Sequence, residues 1–144
     1  MGARLLLALL LLVPAWPLSA GTERVLDFAS VVVIDPDGSM VVTENITVQA
    51  AGDQIRRGIV REFPTTYTGE GGRTVRVGFQ LVDVRRDGNP EPYRVEKRSN
   101  GVAIYVGDKN VFLPPGRYAY TLVYSTTGQL GFFPDHDERS SDLL

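Results

Sequence analysis

The stretch "SMVVTENITVQA" (Ser39–Ala50) decides how the rest of the chain is read. Met40, Val42, Ile46 and Val48 share one parity, while Val41, Thr43, Asn45, Thr47 and Gln49 share the other. Successive side chains of a strand point to opposite faces, so a period of two turns the apolar set toward a core and the polar set toward water. One residue departs from the pattern, because Glu44 stands on the apolar parity. Just upstream, "VLDFASVVVI" (Val25–Ile34) is rich in β-branched residues, which suit a pleated surface. Between the two runs, "DPDG" (Asp35–Gly38) carries Pro36 second and Gly38 fourth, as a tight turn does. The two runs are expected to form a β-hairpin.

The same grammar continues downstream. "TVRVGFQLVDV" (Thr74–Val84) places Val75, Val77, Phe79 and Leu81 on one face, after which Val82 and Val84 take the other parity. A switch of parity inside a strand predicts a bulge or a change of sheet near Leu81. "RDGNPEP" (Arg86–Pro92) is turn chemistry, and short strands are expected over Tyr93–Lys97 and Val102–Val106, split by "SNG". "LPPG" (Leu113–Gly116) leads into "RYAYTLVYST", whose Tyr118, Tyr120, Leu122 and Tyr124 share a face. No segment sustains a period of 3.6 residues, and no internal repeat is visible. Short strands separated by regular turn signals predict an all-β fold, an immunoglobulin-like antiparallel β-sandwich. The remaining stretch, "AGDQIRRGIVREFPTTYTGEGGR" (Ala51–Arg73), lacks clean alternation and is expected to be an ordered loop with one short strand.

The N-terminus is different material. Arg4 precedes the unbroken apolar run Leu5–Val13, followed by "PAWPLSA" with its small residue at Ala20. This order is that of a secretory signal peptide, and the run is shorter than the roughly 20 residues a membrane span needs. Residues 1–20 are therefore expected to be a signal peptide, 21–138 an exported β-sandwich domain, and 139–144 a divergent tail. No later run is long enough to cross a membrane. The chain has no cysteine, which excludes disulfides, thiolate nucleophiles and Cys-ligated zinc. With 15 basic against 17 acidic residues, it lacks the basic excess of a general nucleic-acid binder.

Candidate chemistry is sparse. His136, the single histidine, sits among Asp135, Asp137 and Glu138. An extended segment would split these four between two faces, two ligands on each, short of a zinc or calcium set. No Gly-x-Ser-x-Gly elbow is present, and "GEGG" (Gly69–Gly72) lacks the Lys-Ser/Thr of a phosphate loop. No catalytic residue, metal or cofactor is assigned, and the chain is expected not to be an enzyme. The better candidates are Arg56, Arg57 and Arg61 with Phe63 and Tyr67. Guanidinium forks suit phosphate and carboxylate, and aromatic rings stack on guanidinium or sugar faces. These five residues are the candidate ligand-binding set for an anionic envelope polymer or lipid. The plainer alternative pairs the arginines with local acids such as Asp53 and Glu62.

"GDQIRRGIVREFPTTY" (Gly52–Tyr67), "GVAIYVGDKNVFLPPGRYAYTLVY" (Gly101–Tyr124) and "GQLGFFPDHDE" (Gly128–Glu138) resemble, in order, the bacterial predicted membrane proteins grouped as domain of unknown function 2207. "RVLDFASVVVIDPDGSMVVTENITV" (Arg24–Val48) fits the start of that domain, so the likeness spans about residues 22–138. The resemblance implies an exported β-sandwich followed, in full-length members, by transmembrane helices and often a Gly/Ser-rich tail. It implies location on the extracytoplasmic side of the cell envelope, a structural or sensing role, and a cell-envelope component or membrane as partner. It carries over no catalytic residue. Beyond "HDE" the family pattern continues into an aromatic strand, whereas this chain reads "RSSDLL" (Arg139–Leu144). The expectation is a truncated chain with an incomplete sandwich at its C-terminus, prone to marginal stability or association.

Overall fold

Eleven residues of β1 (Arg24–Ile34) and eleven of β2 (Met40–Ala50) form the expected hairpin in the computed structural model, which describes residues 21–130. The turn closes as its sequence demands. Gly38 donates its N–H to the Asp35 carbonyl at 2.9 Å, with φ at 82°, a value glycine takes without strain. The register then pairs Ile34 with Met40 and runs on to Arg24 opposite Gln49.

The other strands are β3 (Ile59–Pro64), β4 (Thr66–Thr68), β5 (Thr74–Arg76), β6 (Gly78–Arg86), β7 (Asn89–Pro90), β8 (Tyr93–Arg98), β9 (Gly101–Val106) and β10 (Gly116–Thr127). The larger sheet has the order β1-β2-β10-β6-β7, the smaller β3-β9-β8, and β4 with β5 makes a separate hairpin. Every pairing is antiparallel. Residues from both larger sheets meet in one core: Ile46 and Val48 from β2, Val84 from β6, Tyr120 and Leu122 from β10, and Ile104 and Val106 from β9. The fold is thus all-β and sandwich-like, as the alternation predicts, because each sheet offers one apolar face and neither can be left wet.

The parity switch near Leu81 resolves as a bulge. Leu81 lies opposite Tyr124 and Asp83 opposite Val123, leaving Val82 without a partner and exposed. The extra residue lets Phe79, Leu81 and Val84 all pack on the core despite their mixed parity. The expected long strand also breaks at Val77, whose N–H bonds to the Thr65 carbonyl, so that Thr74–Arg76 pairs with β4 instead.

The expected loop over Ala51–Arg73 needs correction. It contains two strands and a 3₁₀ turn at Glu70–Gly72, and β3 is an edge strand of the smaller sheet, paired with β9 from Ile59/Val106 to Pro64/Gly101. Its alternation is real: Ile59, Arg61 and Phe63 are half-buried while Val60, Glu62 and Pro64 are exposed. A charged residue on the inward parity hid that period in the sequence.

At an edge of the larger sheet, β1 has no strand on its outer side among the described residues, and Val31, Val32, Val33 and Ile34 are about half exposed or more. No helix among the described residues is long and apolar enough to cross a membrane. Residues 1–20, expected to be a signal peptide, and the tail around His136 lie outside the described residues.

Candidate functional site

The two residues that break the sequence pattern are partners. Glu44, on the core face of β2, is 3% exposed. Arg61, on the inward face of β3, donates from Nε to Glu44 Oε2 at 2.8 Å and from Nη2 to Oε1 at 2.6 Å. The Tyr124 hydroxyl on β10 donates to the same Oε1 at 3.1 Å. A guanidinium fork on a carboxylate gives two charge-assisted bonds in a fixed plane, so this pair ties one sheet to the other in a defined register. The hydrogen bonds to Glu44 raise the Arg61 pKa further above its ordinary value. Burial, then the Glu44 charge, pushes the Tyr124 phenol up to about 12.

An aromatic wall surrounds the clamp. Phe63, Phe79 and Tyr124 pack with ring centroids 4.7 to 5.1 Å apart. Arg61 lies over the Phe63 ring at 4.8 Å and the Phe28 ring at 5.7 Å. Of the five candidate ligand-binding residues, Arg61 and Phe63 therefore face the inter-sheet interior. Tyr67 sits on β4, its hydroxyl donating to the Pro64 carbonyl at 2.9 Å. On the outside, the structure brings together Arg56 and Arg57, exposed on the segment before β3, with their guanidinium carbons 5.4 and 4.2 Å from the centroid of Phe112.

Sequence reasoning missed the company these two keep. An open groove of about 290 Å³ is lined by Gln54, Arg56, Arg57, Gly58, Ile59 and Val60 on one side, and by Arg94, Tyr105, Val106, Gly107 and Lys109 on the other. Arg94 lies over Tyr105, 3.9 Å from its centroid. The pairing of Ile59 with Val106 and of Tyr93 with Val106 brings these segments together. Their separation in sequence leaves no local signal of it.

The segment carrying Arg56 and Arg57 is anchored by Glu23. Its carboxylate accepts backbone N–H groups from Ala51, Asp53, Gln54 and Ile55 at 2.6 to 3.2 Å. Desolvation opposes the charge there, but the four backbone donors together outweigh it and hold the Glu23 pKa down at about 2. No sequence pattern signals this contact, since its partners lie 28 to 32 residues away. Among the described residues no group of three or more His, Asp or Glu side chains could hold a metal ion.

Residues 24–140 match the model of the predicted membrane protein (DUF2207) N-terminal domain. The chain belongs to the DUF2207 family. Within curated proteins, this DUF2207 chain is 37% identical over 111 residues to the uncharacterized protein YciQ of Escherichia coli (strain K12). That match covers 77% of this chain and 17% of YciQ, so the chain spans about a sixth of the relative's length. No solved structure matches.

Proposed function

We propose that this DUF2207 domain is a non-enzymatic, extracytoplasmic module of a membrane protein, with a structural or sensing role. The observation that carries the reading is membership in a family described as the N-terminal domain of predicted membrane proteins. An N-terminal segment with the charged, apolar, small-residue order of an export signal supports it. The clamp adds a structural argument. The charged pair inside the sandwich is spent on itself, Glu44 being held by Arg61 and Tyr124, which suits a rigid spacer or receptor more than a reactive cleft. Membrane anchorage belongs in this proposal to the remainder of full-length relatives.

A fusion of alkaline phosphatase after Thr127 tests the location, since that reporter is active only once exported. An inactive phosphatase fusion beside a fluorescent cytoplasmic fusion would sink the reading. A hydrolase substrate panel, run with and without divalent metals, is expected to stay silent. Turnover abolished by a point substitution would replace the module with an enzyme. The alternative, recognition of an anionic envelope ligand by arginines and aromatics, is favoured by the cationic groove but with a changed set of residues.

A further inference from the structure

We propose that the groove between the Gln54–Val60 segment and the end of β9 is a docking site for the phosphate headgroups of an anionic phospholipid bilayer. The inference rests on the reading of this domain as one held beside a membrane.

Four cations from three separate segments converge on the groove: Arg56 and Arg57 ahead of β3, Arg94 on β8, and Lys109 in the turn after β9. No aspartate or glutamate lines it, although the whole chain carries a net charge of −2. One of the four cations, Arg94, is paired: Glu96 accepts from its Nε at 2.8 Å. Asp108, next to Lys109 in sequence, accepts the Asn110 backbone N–H on Oδ1 at 2.8 Å. Among the described residues, Arg56, Arg57 and Lys109 have no carboxylate within ion-pair distance. Unbalanced cations in one concavity on an acidic chain make a field that attracts anions.

The floor of the groove is backbone. Gly58 and Gly107 have φ of 138° and 122°, and each lies so close to the other strand that an added Cβ would collide with the Val106 or the Arg57 carbonyl oxygen. The opening therefore cannot be filled by a side chain from its own floor. The guanidinium groups are also held in place over rings, those of Arg56 and Arg57 over Phe112 and that of Arg94 over Tyr105. A guanidinium so held retains donors for phosphate oxygens at a reduced ordering cost.

The rim argues for a bilayer over a soluble anion. Val60, Val111 and Phe112 are 52%, 51% and 55% exposed beside these cations. Exposed aliphatic and aromatic side chains among Arg and Lys match the boundary between headgroup and acyl chain, where the ring enters apolar surroundings and the charges meet phosphates.

The test is cosedimentation of the full chain with vesicles of phosphatidylcholine alone, or of phosphatidylcholine with phosphatidylglycerol. Binding is expected to the anionic vesicles and to weaken as salt is raised. Arg56→Ser/Arg57→Ser/Lys109→Ser should weaken it by about tenfold or more, from roughly 1 kcal/mol per cation at a membrane surface. Arg73→Ser/Arg76→Ser/Lys97→Ser removes equal charge from the β4–β5 hairpin and the far end of β8, and should leave binding within about twofold. Equal losses in the two triple variants, or equal binding to both vesicle types, overturn the proposal. Displacement by inorganic phosphate at constant ionic strength also overturns it, assigning the groove to a soluble anion. Should the first triple variant fail to fold by circular dichroism, Lys109→Glu on the exposed turn carries the same comparison. Vesicle binding by a chain that the phosphatase fusion finds in the cytoplasm would sink the proposed location while sparing the groove.

Discussion

Arg57 and Arg61 stand four residues apart and live in different chemistry. Arg61 lies on a strand, on its inward parity, and makes two hydrogen bonds to a carboxylate that is 3% exposed. Arg57 lies before the strand begins, exposed, its guanidinium resting over Phe112. The two look alike in sequence, as members of one arginine-rich stretch. What separates them is the start of β3 at Ile59, after which alternation assigns every second side chain to the interior. The difference teaches that a charge cluster is a surface feature only where the backbone is not a strand of a sandwich.

The sharpest break of that comparison is Arg61→Ala. It leaves Glu44 buried with only Tyr124 as a side-chain partner, and should cost about 3–5 kcal/mol of unfolding free energy in urea. Glu44→Ala should cost less, about 1–2 kcal/mol, because the Arg61 side chain keeps 30% of its surface exposed and can turn its charge to water. Equal costs would mean that Arg61 is not oriented by the clamp. Replacing both, as Glu44→Leu/Arg61→Leu, removes both charges from the interface and should return stability to within about 1 kcal/mol of the parent. A double variant as unstable as Arg61→Ala would show that register, rather than desolvation, is what the pair supplies.

The outer region answers to pH. Glu23 is held at about 2 against an ordinary 4.5, so its contribution is complete above 4.5 and is lost as pH falls toward 2. Thermal melts across that window should fall more steeply for the parent than for Glu23→Gln, which lacks the titrating group. Parallel curves would separate the 51–55 backbone cradle from stability. The smallest effect is expected from Arg57→Ala, below about 1 kcal/mol in the same urea experiment, since an exposed cation over a ring contributes little to folding. A loss as large as that of Arg61→Ala would erase the distinction between inner and outer arginines.

Much of the fold was legible. The hairpin at Asp35–Gly38, the alternation of β2 and β10 and the bulge beside Leu81 each follow from local pattern and turn chemistry. One short strand was expected within Ala51–Arg73, but the place of β3 in it was not legible, because Arg61 occupies a position where an apolar residue would have completed the period. Glu44 was visible as an anomaly, but an anomaly on one strand does not name its partner on another. Of the candidate site, Arg56 and Arg57 were found, while Arg94, Tyr105 and Lys109 came to the same groove only through the pairing of β3 and β8 with β9.

The sequence by itself determined that the described residues, 21–130, are strand and turn, since a period of two with Gly, Pro and Asp between the runs admits little else. It also determined the absence of cysteine chemistry and the family to which the chain belongs. Only the tertiary structure decided which charges are interior. Burial of a charge depends on a partner from the facing sheet, and that partner is chosen by packing across the sandwich rather than by proximity along the chain. Glu44 and Arg61, 17 residues apart, answer each other for that reason.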